Sequence, residues 1–178
     1  GVEPFEVYAA PIQIDPWNPA MPVSSPEEAS AELADAIGPY YTQGFPDAYK
    51  AYKVGLLDTP GFVSQSDTVM EERGAMLDWA LDGLDQDGGV LFFYVGSLDM
   101  RCHMLWFAQD EEHPHREAGA LENHDHEIDR IYAQVDAMVG GLVGRLRPDD
   151  TFLIISDHGF APFRRKMHVN DWLVEKGW

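Results

Sequence analysis

Basic residues are scarce in this chain: 12 Lys and Arg stand against 31 Asp and Glu, a formal charge of -19. That imbalance disfavours docking on a nucleic-acid backbone or an anionic membrane. An anionic substrate is still admissible, because bound dications reverse the sign of charge locally. Cysteine is almost missing. Cys102 stands alone, so no intrachain disulfide can form, and a reducing compartment such as the cytoplasm is permitted without being required. No apolar run approaches the roughly 18 residues that span a membrane. No secretory leader, internal repeat or low-complexity tract is visible. An initiating Met is lacking too, and the run from Gly1 to Gly177-Trp178 reads as truncated at both ends.

What is present is a globular composition, 45% hydrophobic over 178 residues, enough for one domain with its own core. Phe5-Glu6-Val7-Tyr8 is a short strand-like run. Pro11, Pro16, Pro19, Pro22 and Pro26 then exclude helix and central strand, and interleaved Ile12, Ile14, Trp17 and Met21 predict an ordered loop. Ser25-Pro26-Glu27-Glu28 carries a helix start, with the helix ending near Gly38-Pro39. A short helix is expected at 47–54 and a longer one at 64–84, with Val69, Met76, Leu77, Ala80 and Leu84 on one stripe. Another is expected over 121–146, and a last one after an Asn170 cap. Residues 1–62 read as a loop-rich, cap-like insert and 63–178 as the core.

Two continuous apolar runs, 90–95 and 151–155, have strand length and predict strands buried on both faces. With amphipathic helices between them, they predict an α/β fold: a mostly parallel sheet flanked by helices and joined by right-handed crossovers. Such sheets place ligands at the carboxyl ends of their strands. Both runs lead directly into metal-ligand residue types. The first enters Ser97-Leu98-Asp99-Met100-Arg101-Cys102-His103, and the second enters Ser156-Asp157-His158-Gly159-Phe160. Asp99 and His103, four apart, can be aimed at one ion by one helical turn. Asp157 and His158 are adjacent at a strand end, where the pleat is lost and Gly159 would admit a bend. Asp125-His126 is the same dipeptide with no strand before it, and so is a decoy. His113, His115, His124 and His126 read as a solvated loop. Taken singly, each Asp/His pair is also compatible with a cap or a surface pair.

The string Ser156-Asp157-His158-Gly159-Phe160-Ala161-Pro162-Phe163-Arg164-Arg165, followed by His168-Val169-Asn170-Asp171-Trp172-Leu173, resembles the alkaline phosphatase superfamily. The nearest likeness is to the bacterial type I phosphodiesterase/nucleotide pyrophosphatase branch. Asp99-x-x-x-His103-Met104-Leu105-Trp106, Ile12-x-Ile14-Asp15-Pro16 and Tyr41-Thr42-Gln43-Gly44 are similar to further segments of that branch. Cys102 and Phe107 depart from it, where Gln and Arg are frequent.

The resemblance implies a metal-dependent phosphoric ester hydrolase with two divalent ions, zinc or manganese, and a small phosphate-ester substrate. By that resemblance Asp99 and His103 hold one ion, and Asp157 and His158 the other. The Thr or Ser nucleophile and a late metal-binding His match nothing here; Thr42 and Ser97 lie outside the nucleophile segment. The chain therefore reads as an internal fragment of an alkaline-phosphatase-like domain, inactive without the rest of its polypeptide. Arg164, Arg165 and His168 are candidates for substrate contact or for orienting a ligand. Sulfatase or phosphoglycerate-mutase chemistry, and a non-catalytic metal-binding module, are the competing readings.

Overall fold

A computed structural model describes residues 7–9, 11–84, 89–116 and 124–178. Six α-helices follow one another: α1 (Ala29–Ile37), α2 (Tyr49–Lys53), α3 (Thr59–Asp82), α4 (Gly96–Leu105), α5 (Glu127–Val143) and α6 (Val169–Glu175). A 3-10 turn, Trp106–Gln109, extends α4. None of the helices is long and apolar enough to cross a membrane.

The expectation of an α/β sheet is overturned: among the described residues there is no strand at all. Runs 90–95 and 151–155 are irregular segments before α4 and after α5, and neither pairs with a neighbouring strand. Many of their side chains face solvent, with Val90 95% and Ile155 76% exposed, while Leu91, Phe93, Val95 and Phe152 are half-buried. The physical reason is that apolar composition sets only a local preference for extended backbone. A strand also needs partner N–H and C=O groups alongside it. The described residues place none there, and burial goes to helix–helix contacts instead. The start of the strand-like run 5–8 lies outside the described residues, while Val7 and Tyr8 are irregular and exposed.

Helix expectations fare better, with shifted ends. α3 starts five residues before the predicted 64, because Asp58 caps it: the Gly61 amide donates to Asp58 Oδ1 at 2.8 Å, and Pro60 occupies the first turn. α1 starts at Ala29 rather than Pro26, and Ser24 rather than Ser25 supplies the hydroxyl, accepting from the Ser30 amide at 3.0 Å. α5 starts at Glu127; the predicted residues 121–123 lie outside the description. α6 begins after His168, without a side-chain cap from Asn170.

The long helix α3 organises the rest. Its N-terminal half packs α2 and α4, α1 also lies against it, and α5 packs on α4. Phe62 and Val63 of α3, Cys102, Met104 and Leu105 of α4, and Ile128 of α5 form the core, with Tyr52 stacked on Phe62 at 4.9 Å. Removing the fully buried Phe62 ring should cost about 3–5 kcal/mol. Ile155→Ser should instead stay within about 0.5 kcal/mol, since that side chain faces solvent. Urea denaturation of the two variants checks this contrast.

Candidate metal centre

α4 has two faces of different chemistry. At 100° per residue, Asp99 and His103 lie close together, and Arg101 lies on the opposite side of the helix from both. The inner face carries Ser97 and Arg101. Ser97 Oγ donates to Asp47 Oδ2 at 2.9 Å, and Ser66 Oγ of α3 donates to Asp47 Oδ1 at 2.6 Å. Arg101 is fully buried, with Nη2 donating to Ser66 Oγ at 3.0 Å and Asp67 Oδ1 at 2.9 Å. Arg130 of α5 closes the network, binding Asp67 Oδ2 at 2.8 Å and Glu127 Oε2 at 2.7 Å. Burial acts upward on the Asp67 carboxyl but is outweighed by hydrogen bonds from Arg130 and Arg101, which hold it below the usual carboxylate range.

The outer face presents the expected pair. His103 Nε2 lies 3.3 Å from Asp99 Oδ1, the i,i+4 approach anticipated from spacing. His158 arrives from the other segment, its Nε2 3.7 Å from the same Asp99 oxygen. One donor atom from each of Asp99, His103 and His158 falls within 4.8 Å of the others. Phe160 seats this segment on the helix: its ring meets His103 edge-on at 4.9 Å, His158 at 5.2 Å and Trp106 at 5.3 Å. Asp157 stays outside the group, its side chain 88% exposed and its Oδ2 3.8 Å from His158 Nε2. Gly159 does not adopt a positive φ, and an added Cβ would meet nothing there. The chain bends at Asp157 instead.

Other candidates are placed as plainly. Arg164 grips Asp110 through two bonds of 2.5 Å and Glu112 through one of 2.8 Å, so its guanidinium is committed to the protein. Arg165 is exposed and in no ion pair among the described residues. His168 lies 3.8 Å from Asp171 at the start of α6. Thr42 accepts from the Ile14 amide and donates to the Ile14 carbonyl, both at 2.9 Å, which uses its hydroxyl as a clasp. Cys102 is buried, and burial, then the nearby Asp99, pushes its thiol up to about 11, so it is a protonated core group. Among the loop histidines, His124 and His126 pair with Glu127 and Asp125. His113 departs from the solvated reading, being buried. Its Nδ1 accepts from the His115 amide at 3.1 Å, so Nε2 carries the proton and donates to the Phe163 carbonyl at 2.9 Å.

Arg164 and His113 thus tie the 110–116 loop to the segment bearing His158. The Asp110 carboxyl is held below its usual range, first by hydrogen bonds from Arg164. A carboxyl depressed in the folded state stabilises above its unfolded pKa and loses that contribution as pH falls through the lower folded value. Protection of the Glu112 amide, whose N–H donates to Asp110 Oδ1, measured against its intrinsic exchange rate, should persist through the ordinary carboxylate range and be lost only as the pH falls through the lower folded value. Arg164→Met should move that loss of protection up into the ordinary carboxylate range.

The family model of type I phosphodiesterase / nucleotide pyrophosphatase matches residues 14–178. The chain belongs to this family of hydrolases of phosphate esters, which typically depend on metal ions. No curated protein and no solved structure gives a match.

Proposed function

We propose that this chain supplies metal-binding residues of a phosphodiester hydrolase of the nucleotide pyrophosphatase type, and that the rest of its polypeptide completes the active site. The observation that carries the reading is the meeting of Asp99, His103 and His158 from two distant segments, in a chain of this family. A carboxylate with two imidazoles is a donor set suited to zinc or manganese. Asp99 and His103 would hold one ion; His158, with Asp157 turned inward from solvent, would hold a second. Bound dications would neutralise the phosphate's non-bridging oxygens and the charge developing on the leaving group.

The chain's own groups then orient and exclude. α4 aims Asp99 and His103, and Phe160 fixes His158 against them. Arg165 is the guanidinium left to meet a substrate phosphate, since Arg164 is occupied. Neither Thr42 nor Ser97 can act as nucleophile, one clasped to Ile14 and the other buried on Asp47. The attacking hydroxyl would come from outside the described residues.

The test is hydrolysis of bis(p-nitrophenyl) phosphate by the full polypeptide carrying this sequence. Turnover should vanish with EDTA and return with zinc or manganese, while residues 1–178 alone stay inactive. Turnover insensitive to chelation, or preference for p-nitrophenyl sulfate, would overturn the assignment.

A further inference from the structure

Away from the metal centre, a cleft of about 470 Å³ opens between the 13–17 loop, residues 39–41 and α3. Asp15, Trp17, Tyr40, Tyr41 and Glu72 line it. Most of their polar atoms are already engaged. Trp17 Nε1 donates to Asp35 at 2.8 Å, the Tyr40 hydroxyl to the Ser30 carbonyl at 3.4 Å, and the Tyr41 hydroxyl accepts from Gln65 at 3.3 Å. Asp15 uses one oxygen on the Trp17 amide. Glu72 differs. Its Oε2 accepts from the Tyr41 amide at 3.0 Å, but Oε1 is buried with no hydrogen-bond partner. A buried acceptor without a donor costs free energy that a ligand carrying a donor would recover. The neighbouring Arg73 does not supply one, since its Nη1 turns to the Met76 sulfur at 3.0 Å.

We propose that this cleft is a second binding site, taking a small organic cation whose apolar body lies among Trp17, Tyr40 and Tyr41 and whose ammonium or guanidinium N–H meets the Glu72 carboxylate, with Oε1 turning into the cleft to accept it. Aromatic side chains beside a carboxylate suit a cation with an apolar body, through ring-face attraction and a charge-assisted hydrogen bond. A volume of about 470 Å³ lies within the usual range for small-molecule sites. Burial raises the Glu72 carboxyl above its ordinary range, against the opposing pull of the Tyr41 amide and the Arg73 charge. The site is independent of the metal reading and works with dications chelated.

Benzylammonium titrated into the protein in EDTA and physiological salt, followed by the Trp17 indole N–H and Tyr41 amide NMR signals, tests it. Saturable shifts are expected, with benzyl alcohol binding about tenfold or more weakly. Glu72→Gln preserves size and the Tyr41 contact, and should lose a similar factor; Trp17→Leu should weaken binding through the aromatic contact. Glu71→Gln, exposed on the same helix, removes the same charge and should leave affinity unchanged. Three results would overturn the proposal: no saturation, equal affinity for the alcohol, or equal losses in Glu71→Gln and Glu72→Gln. The last would mean diffuse attraction to a chain of charge -19.

Discussion

His158→Ala in the full polypeptide is expected to lower dication affinity and phosphodiester turnover by more than the roughly 10–100-fold typical of losing a residue that merely supports a ligand. The reason is geometric. Without His158 the group shrinks to Asp99 and His103, an i,i+4 pair on one helix face of the kind that occurs on many surfaces without an ion. Asp99→Asn should be at least as damaging, because the Asp99 carboxylate is the anion both imidazoles face. Phe160→Ala should fall within the supporting range, since the ring touches His103 and His158 but donates nothing to an ion. His126→Ala, in the decoy dipeptide, should change neither quantity: its ring pairs with exposed Asp125 away from the group. Calorimetry with zinc or manganese, alongside kcat on bis(p-nitrophenyl) phosphate, separates these outcomes. Equal affinity for His158→Ala and the native protein would remove this residue from the site.

The two halves of that site were legible because their chemistry is local. Asp99-x-x-x-His103 declares its own geometry once the segment is helical, and α4 is helical there. Phe160 was visible as part of a motif, yet its work, holding one histidine against another, depends on a packing that no spacing encodes. The network beneath α4 was missed altogether. Asp47, Ser66, Asp67, Glu127 and Arg130 come from three separate stretches, and each looks like an ordinary surface residue until the helices pack. One signal was available: Arg101 sits opposite the Asp99/His103 face, so an outward-facing pair forces a charge inward.

The failed sheet has a related cause. Periodicity distinguishes strand-like from helical patterns, and both runs are indeed non-helical, but neither is a strand. Pairing is a property of two segments, and a continuous apolar run says nothing about whether its partner lies alongside. Helix starts were misplaced for a smaller reason. Asp58-Thr59-Pro60 is a complete start signal, and the Asp58 cap, accepting from the Gly61 amide, carries α3 back beyond the apolar stripe that placed its start at 64.

Arg101→Met should destabilise the protein by about 3 kcal/mol, the lower end of the range for breaking a buried ion pair. Methionine fills much of the space but leaves Asp67 and Ser66 without the donor they share. The loss is kept from the upper end because Arg130 still holds both Asp67 and Glu127, and because Arg101 Nε has no partner to lose. The substitution should also act at a distance. Ser97 and Arg101 are the two polar anchors that set how α4 is rotated about its axis, and that rotation aims Asp99 and His103 outward. Dication affinity should therefore fall under conditions where the variant remains folded, although no ligand has been altered. With one of its cations gone, Asp67 should titrate higher, moving acid unfolding to a higher pH. A double-mutant cycle with Asp67→Asn isolates the pair: if Arg101 acts through Asp67, the two losses combine to less than their sum. If the losses add fully, or dication affinity survives in folded Arg101→Met, then α4 is held by its apolar contacts, and the polar face beneath it does not position the site.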